Sequence, residues 1–286
     1  MIFEHEIPTG SRLYFGKSAK LKRTLENQAS ENFEALGYEE IVIPCFSYHQ
    51  HDSFDDKRCL VRVNDENNHE VTLRADITAD LVRIVTKRIG RSMNHKKWYY
   101  IQPTLSFPTK ECYQIGAEVI DGSFEESINN AMDMLEKFAM QPVLQIANIK
   151  IPKILHDEYG IDYEILKSMN MEKILELDIA WVIKLANIHR VEDLKDTEDI
   201  PSDIAYELTK IYDASRKIHY KNIVISPLYY ANMRYYDSLT FRVFEANTLL
   251  AQGGTYHIGD CKASGFTIYT DRCIESIIKR DKGKNE

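Results

Sequence analysis

Apolar positions recur at helical spacing across residues 18–36, where Leu21, Leu25, Ala29, Phe33 and Leu36 share one side. Ser18 reads as the N-cap of that helix, since its hydroxyl can accept from an unpaired first-turn N–H. Gly37 reads as its C′ residue, since glycine takes the left-handed conformation without a Cβ clash. The period then changes. Glu39–Ile43 predicts a short strand stopped by Pro44, and Arg58–Val63 and Glu70–Arg74 predict two strands around the polar turn at residues 64–68. Asp76 opens a helix through Ile77, Leu81, Ile84 and Val85. Ser123 opens another through Phe124, Ile128, Ala131, Leu135 and Phe138.

Between these two helices lies Trp98–Asp121, which predicts a β-hairpin. Trp98–Leu105 is β-favouring, with Pro103 arguing against a fully paired central position, and Phe107–Lys110 is a turn. Tyr113–Ile120 alternates: Tyr113, Ile115, Ala117 and Val119 on one face, Gln114, Gly116, Glu118 and Ile120 on the other. Gln114 and Glu118 therefore share a face, about 13 Å apart. Such a polar pair suits the floor of a ligand site or the solvated face of a half-buried sheet, and periodicity does not choose between them.

A strand at Val143–Ala147 is followed by a stretch of different character. Residues 150–220 are charged and helically spaced, with one helix around Ile154, Leu155 and Tyr159, a second over Met171–Ile188 and a third over Ile204–Tyr212. Strand patterns return at Asn222–Ile225, Tyr229–Tyr236, Ser238–Glu245, Thr248–Gln252 and Gly265–Tyr269, and Asp271 opens a final helix. Runs of strands with helices between the groups predict an α+β fold, an antiparallel sheet flanked by helices with a helical insert over residues 150–221.

Composition narrows the function. The chain has 286 residues, 44% of them hydrophobic, enough for one large core. With 36 basic and 44 acidic residues its net charge is −8, a poor match to nucleic-acid binding. Five scattered cysteines without a CxxC pair argue against a zinc site or a disulfide framework and fit a reducing compartment. No apolar run reaches the roughly 18 residues of a membrane span, and the first residues lack a basic-then-apolar leader. The expectation is a soluble cytoplasmic protein that does not engage a membrane.

Single residues say little about chemistry. His49-Gln50-His51 sets two imidazoles on one side of an extended segment but has no third ligand nearby, so it reads as surface loop rather than metal site. Gly253-Gly254 marks a close approach or a bulge. Arg74, Arg83, Arg234 and Arg272 suit either anions or surface ion pairs, and no nucleophile–base pair stands out.

The order of the segments says more. A helix followed by Gly37–Pro44, then Leu73–Thr78 (LRADIT), Trp98–Ile120, Ala251–His257 (AQGGTYH) and Gly265–Arg272 (GFTIYTDR) resembles the catalytic domain of class II aminoacyl-tRNA synthetases. Within these it resembles the histidyl type and its non-ligating relatives, the regulatory subunits of ATP phosphoribosyltransferase. The likeness covers residues 8–148 and 222–278. It implies a dimer-forming helix and strand at residues 18–44, and histidine contacts from Asp76, Thr78, Gln114, Glu118, Tyr235 and Tyr236. Arg272 would be a residual anion-binding residue. The two tyrosines depend on laying Met233–Phe241 over the family's Arg-Gly-Leu-Asp-Tyr-Tyr segment. A rival register instead puts Arg234 over its arginine.

The departures from the ligase pattern point away from catalysis. Ser106 stands at the arginine of the second motif and cannot supply a bidentate cation. The hairpin turn is several residues short of the ligase loop that reaches tRNA. Ala231 and Thr255 replace two further arginines, and the anticodon-binding domain is expected to be absent. ATP chemistry needs several cations on a triphosphate, and only Arg272 clearly remains. The resemblance thus implies a non-catalytic regulatory subunit in histidine biosynthesis, without tRNA, cofactor or metal. It would be a homodimer within a hetero-oligomer with a short-form catalytic subunit, relaying histidine feedback. The alternative is a truncated ligase activating an amino acid for a non-tRNA acceptor.

Overall fold

Helix α1 (Gly16–Ala35) starts earlier than expected, because Phe15, not Ser18, holds the extended N-cap conformation. Ser18 closes the first turn from inside: its Oγ accepts from the Phe15 N–H at 3.1 Å and its hydroxyl donates to the Phe15 carbonyl at 2.9 Å. The far end stops at Gly37 as expected, with φ +78°. In this computed structural model the described residues are 6–50, 54, 56–89, 94–168, 170–231 and 236–283.

Strand β1 (Glu39–Glu40) is shorter than predicted. Beyond it the Gln102 side chain takes over the ladder, accepting from the Ile43 N–H and donating to the Ile43 carbonyl, each at 3.0 Å. The strand predicted over Arg58–Val63 is largely displaced by a 3-10 turn at Lys57–Cys59, because the Asp56 carboxylate accepts from the Arg58 N–H at 3.0 Å and draws the chain into a turn. Strands β2 (Phe46–Ser47), β3 (Arg62–Asn64) and β4 (Glu70–Leu73) form a small antiparallel sheet in the order β2-β4-β3. Helix α2 (Thr78–Lys87) follows, with Asp76 Oδ1 accepting from the Ala79 N–H at 3.0 Å.

The hairpin forms as β5 (Lys97–Ser106) and β6 (Lys110–Ile120). Helix α3 (Phe124–Lys137), capped by Ser123, leads to β7 (Val143–Asn148). After the insert come β8 (Ile223–Ile225), β9 (Tyr236–Glu245), β10 (Thr248–Ile258) and β11 (Cys261–Tyr269). The main sheet has the order β1-β5-β6-β11-β10-β9-β7-β8, antiparallel except at its edges, where β1 and β8 run parallel to their neighbours. The predicted strand at Tyr229–Tyr236 is not formed at residues 229–231, where a turn is closed by the Tyr229 N–H on the Ser226 carbonyl at 3.2 Å; residues 232–235 lie outside the described residues.

The insert holds α4 (Lys150–Asp157), α5 (Tyr163–Ser168), α6 (Met171–Glu176), α7 (Ala180–Ala186) and α8 (Ser202–Ser215). The single helix predicted over Met171–Ile188 breaks at Asp178, whose φ of +51° no α-helix sustains. Ile151, Leu155, Ile204 and Leu208 of the insert belong to the same apolar cluster as Phe33, Ile146, Phe241 and Phe266. Asn148 ties the two together, donating to buried Glu207 Oε2 at 2.7 Å. That cluster, with α1, α3 and α9 (Thr270–Gly283), covers one face of the sheet. Near the start of α2 the other face carries a smaller cluster of Ile77, Leu81, Tyr100 and Tyr256. It leaves a cavity between α2 and the strands.

Candidate functional site

Two-residue alternation directs Gln114, Gly116 and Glu118 of β6 to the face opposite the main core. Gly265, Thr267 and Tyr269 of β11 and Gln252, Gly254 and Tyr256 of β10 face the same way. Together with Asp76 and Thr78 at the mouth of α2 and Tyr236 at the start of β9, these strands line a cavity of about 160 Å³. The hairpin's polar face is thus enclosed rather than solvated.

Glu118 lies at its centre, 1% exposed. Oε1 accepts from Thr78 Oγ1 at 2.6 Å, and Oε2 accepts from the Tyr256 hydroxyl. Burial pushes its carboxyl up to about 8; the two hydroxyl donors pull it back in part, and the Asp76 carboxylate pushes it further. Burial likewise raises Tyr100, Tyr236 and Tyr256 well above the usual phenol range. The Glu118 carboxylate fits because its neighbour is a glycine: a Cβ at Gly265 would sit 1.6 Å from Glu118 Oε2. Gly116 clears Tyr100 in the same way, leaving its hydroxyl 2.7 Å from Thr267 Oγ1.

The backbone before α2 is fixed by Gln50, which is fully buried. Its Oε1 accepts from the Ala75 and Asp76 N–H groups at 3.0 and 2.7 Å, and its Nε2 donates to the Asp76 carbonyl at 2.8 Å and to the Asp80 carboxylate. Of His49-Gln50-His51, the central amide therefore has the identifiable structural task. His51 lies outside the described residues, and among those described no cluster of three or more metal-ligating side chains occurs.

Of the residues singled out in the sequence, Asp76, Thr78, Gln114, Glu118 and Tyr236 converge on the cavity. Gln114 also donates to Thr104 Oγ1 at 3.2 Å. Tyr235 and Arg234 lie outside the described residues. Arg272 is beside the cavity rather than in its lining: its guanidinium stacks 4.1 Å from the Tyr269 ring centre and donates to the Leu249 carbonyl at 3.0 Å. Arg74 is neither an anion site nor a surface ion pair. It is 1% exposed and clamps the carbonyls of Ile43, Pro44 and Pro103 at 2.7–3.1 Å. Arg83 pairs with Asp80 at 3.1 Å. Gly253-Gly254 is a close approach next to a register shift: a Cβ at Gly253 would meet the Gly265 carbonyl at 2.3 Å.

Sequence reading missed Gln50, Gln252, Tyr256, Thr267 and Tyr269. The two-residue phase of β10 and β11 carries a signal for four of them, since Gly254 and Gly265 fix which residues share the cavity face. Gln50 has no such signal, because its partners, backbone atoms of Ala75 and Asp76 and the Asp80 carboxylate, lie 25 to 30 residues away.

Residues 14–273 match the family model for histidyl-tRNA synthetase. The ATP phosphoribosyltransferase regulatory subunit of Wolinella succinogenes is 40% identical over 99% of both chains. That of Helicobacter hepaticus is 41% identical over 97% of this chain and all of the relative. A solved structure from Bacillus halodurans, described as an ATP phosphoribosyltransferase regulatory subunit/histidyl-tRNA synthetase, superposes with a TM-score of 0.82 at 20% identity, covering 96% of this chain and 84% of the other. Histidyl-tRNA synthetase from Nostoc sp. PCC 7120 gives 0.77 at 15% identity, covering 98% and 77%.

Proposed function

This chain belongs to the family of ATP phosphoribosyltransferase regulatory subunits, built on the histidyl-tRNA synthetase fold, and from that premise we propose that it assembles with a short-form catalytic subunit and conveys inhibition by histidine to it. The observation that carries the reading is what the cavity keeps and what it lacks. The floor that would hold an amino acid is assembled, from Asp76, Thr78, Gln114, Glu118 and Tyr236. The hairpin beside it closes at once, with Ser106 paired to Lys110 and only residues 107–109 between them. Neither a phosphate-clamping arginine nor a tRNA-reaching loop stands there.

The chemistry of the floor suits histidine. A buried carboxyl that is neutral near pH 7 when empty becomes a partner for an ammonium or imidazolium group once one enters, because opposite charge restores its ionised form. The phenols of Tyr236 and Tyr256 stay protonated, and that of Tyr256 donates to Glu118. Arg272 is a residual anion contact at the margin. Isologous pairing through α1 and β1 completes the assembly.

The test is reconstitution. Mixed with a short-form catalytic subunit, the chain is expected to restore ATP phosphoribosyltransferase turnover that neither shows alone, with histidine suppressing it. Amino-acid-dependent exchange of pyrophosphate into ATP by the chain alone would overturn the reading in favour of a ligase.

A further inference from the structure

Arg242 on β9 lies directly opposite Gln252 on β10, and Gln252 lines the cavity. Its other cross-strand neighbour is Gln145 on β7. Facing residues on adjacent strands point the same way, so the three side chains form a row on the cavity's side of the sheet, with Arg242 about 5 Å beyond the lining. The guanidinium is half-buried, its carbon 4.7 Å from the Tyr229 ring centre and 4.5 Å from that of Phe244. Stacking uses the faces of the guanidinium and leaves its edge donors open.

Among the described residues those donors have no partner: Arg242 makes no hydrogen bond and no ion pair. The side chains of Gln252 and Gln145 make none either, and the Gln145 amide oxygen is buried without a donor. Arg74, by contrast, is a structural arginine of the same chain and spends its donors on three carbonyls. An arginine that merely covers two rings accounts for the stacking. It does not account for a fork of unused N–H groups between two unengaged amides at the edge of a cavity.

We propose that Gln252, Arg242 and Gln145 form an oxyanion subsite beside the cavity, with Arg242 as a bidentate fork held rigid by Tyr229 and Phe244. The group it takes is a carboxylate or a phosphoryl oxyanion. The first would come from the amino acid whose cationic end occupies the acidic cavity, an assignment that rests on the histidine reading above. The second would come from a separate phosphorylated ligand and does not.

Calorimetry on the full chain separates the sources, with histidine, histamine and inorganic pyrophosphate as probes at constant ionic strength. Arg242→Gln is expected to weaken one oxyanion probe by about ten- to hundredfold and to leave histamine unchanged. Loss of histidine affinity alone identifies the carboxylate; loss of pyrophosphate affinity identifies the phosphoryl group. Arg242→Lys, which keeps the charge but not the fork, is expected to fall between. The proposal is overturned if both oxyanions keep wild-type affinity in Arg242→Gln, or if histamine binding falls equally. Should neither histidine nor histamine bind the wild type, the histidine reading fails, and pyrophosphate alone decides: binding lost in Arg242→Gln supports the subsite, and no binding refutes it.

Discussion

Glu118 shows how one residue's neighbourhood decides its chemistry. Its place on the hairpin's polar face is fixed by alternation, but its neutrality is not, since that comes from burial, which outweighs the Thr78 and Tyr256 hydroxyls that favour the charged form. The ordinary carboxyl value is 4.5 and the folded value is raised to about 8, so between these the folded state holds a proton that the unfolded chain has released. Stability should therefore fall as pH rises through that window, by up to about 1.4 kcal/mol per pH unit from this group. Urea unfolding midpoints at about pH 5 and about pH 8 check the sign. Glu118→Gln should flatten the slope and gain on the wild type at the alkaline end; an unchanged slope would show that Glu118 is ionised in the fold.

At the scale of elements, the strands and helices were largely legible and their junctions were not. Helix α3 begins at its capping serine as expected, and α1 ends at its glycine, because those signals act within a few residues. Arg74 is the opposite case. The residue reads as an anion-binding or surface ion-pair arginine, yet it joins the end of β4 to the Ile43–Pro44 segment and to β5 at Pro103. Strand β1 ends at Glu40, so among the described residues no strand pairs with β5 on that side at Pro103, and the guanidinium supplies donors to its carbonyl. Arg74→Met should take both guanidinium donors from the Pro103 carbonyl, while the Ile43 carbonyl keeps Gln102, lowering stability by about 2 kcal/mol. Chemical denaturation would show a shift of midpoint without change of slope; a shift under half a kilocalorie, about the size of a surface substitution, would contradict the clamp.

At the scale of the molecule, several exposed apolar side chains lie in or beside the predicted dimer elements, residues 18–44, while others lie on the insert. Val42 is 74% exposed, Phe46 60% and Phe15 74%, while β1 is a short edge strand with an open side. Exposed apolar side chains such as Val42 next to a sheet edge are a place where a second copy gains by burial. Val42→Glu should shift the chain from dimer to monomer in sedimentation velocity at micromolar concentration, with little change in the circular dichroism of the monomer. A wild type that sediments as a monomer throughout would refute pairing through this face. The insert, which reads as helical and of different character from its flanks, shares one apolar cluster with the sheet through Ile151, Leu155 and Leu208. Compositional change along a chain marks topology, not independence of the core.

The sequence by itself determined the periodic elements, their order and the face on which Gln114 and Glu118 project, because spacing and caps are local physics. It also carried the departures at Ser106 and Thr255, which are matters of residue identity. Only the tertiary structure decided that the polar face is enclosed, that Gln50 pins Asp76 and that Arg74 is a clamp. It alone set Arg242 unpaired beside the cavity. Burial, carboxyl neutrality and the use of donors depend on atoms brought together from distant parts of the chain, and no window of sequence contains those neighbours.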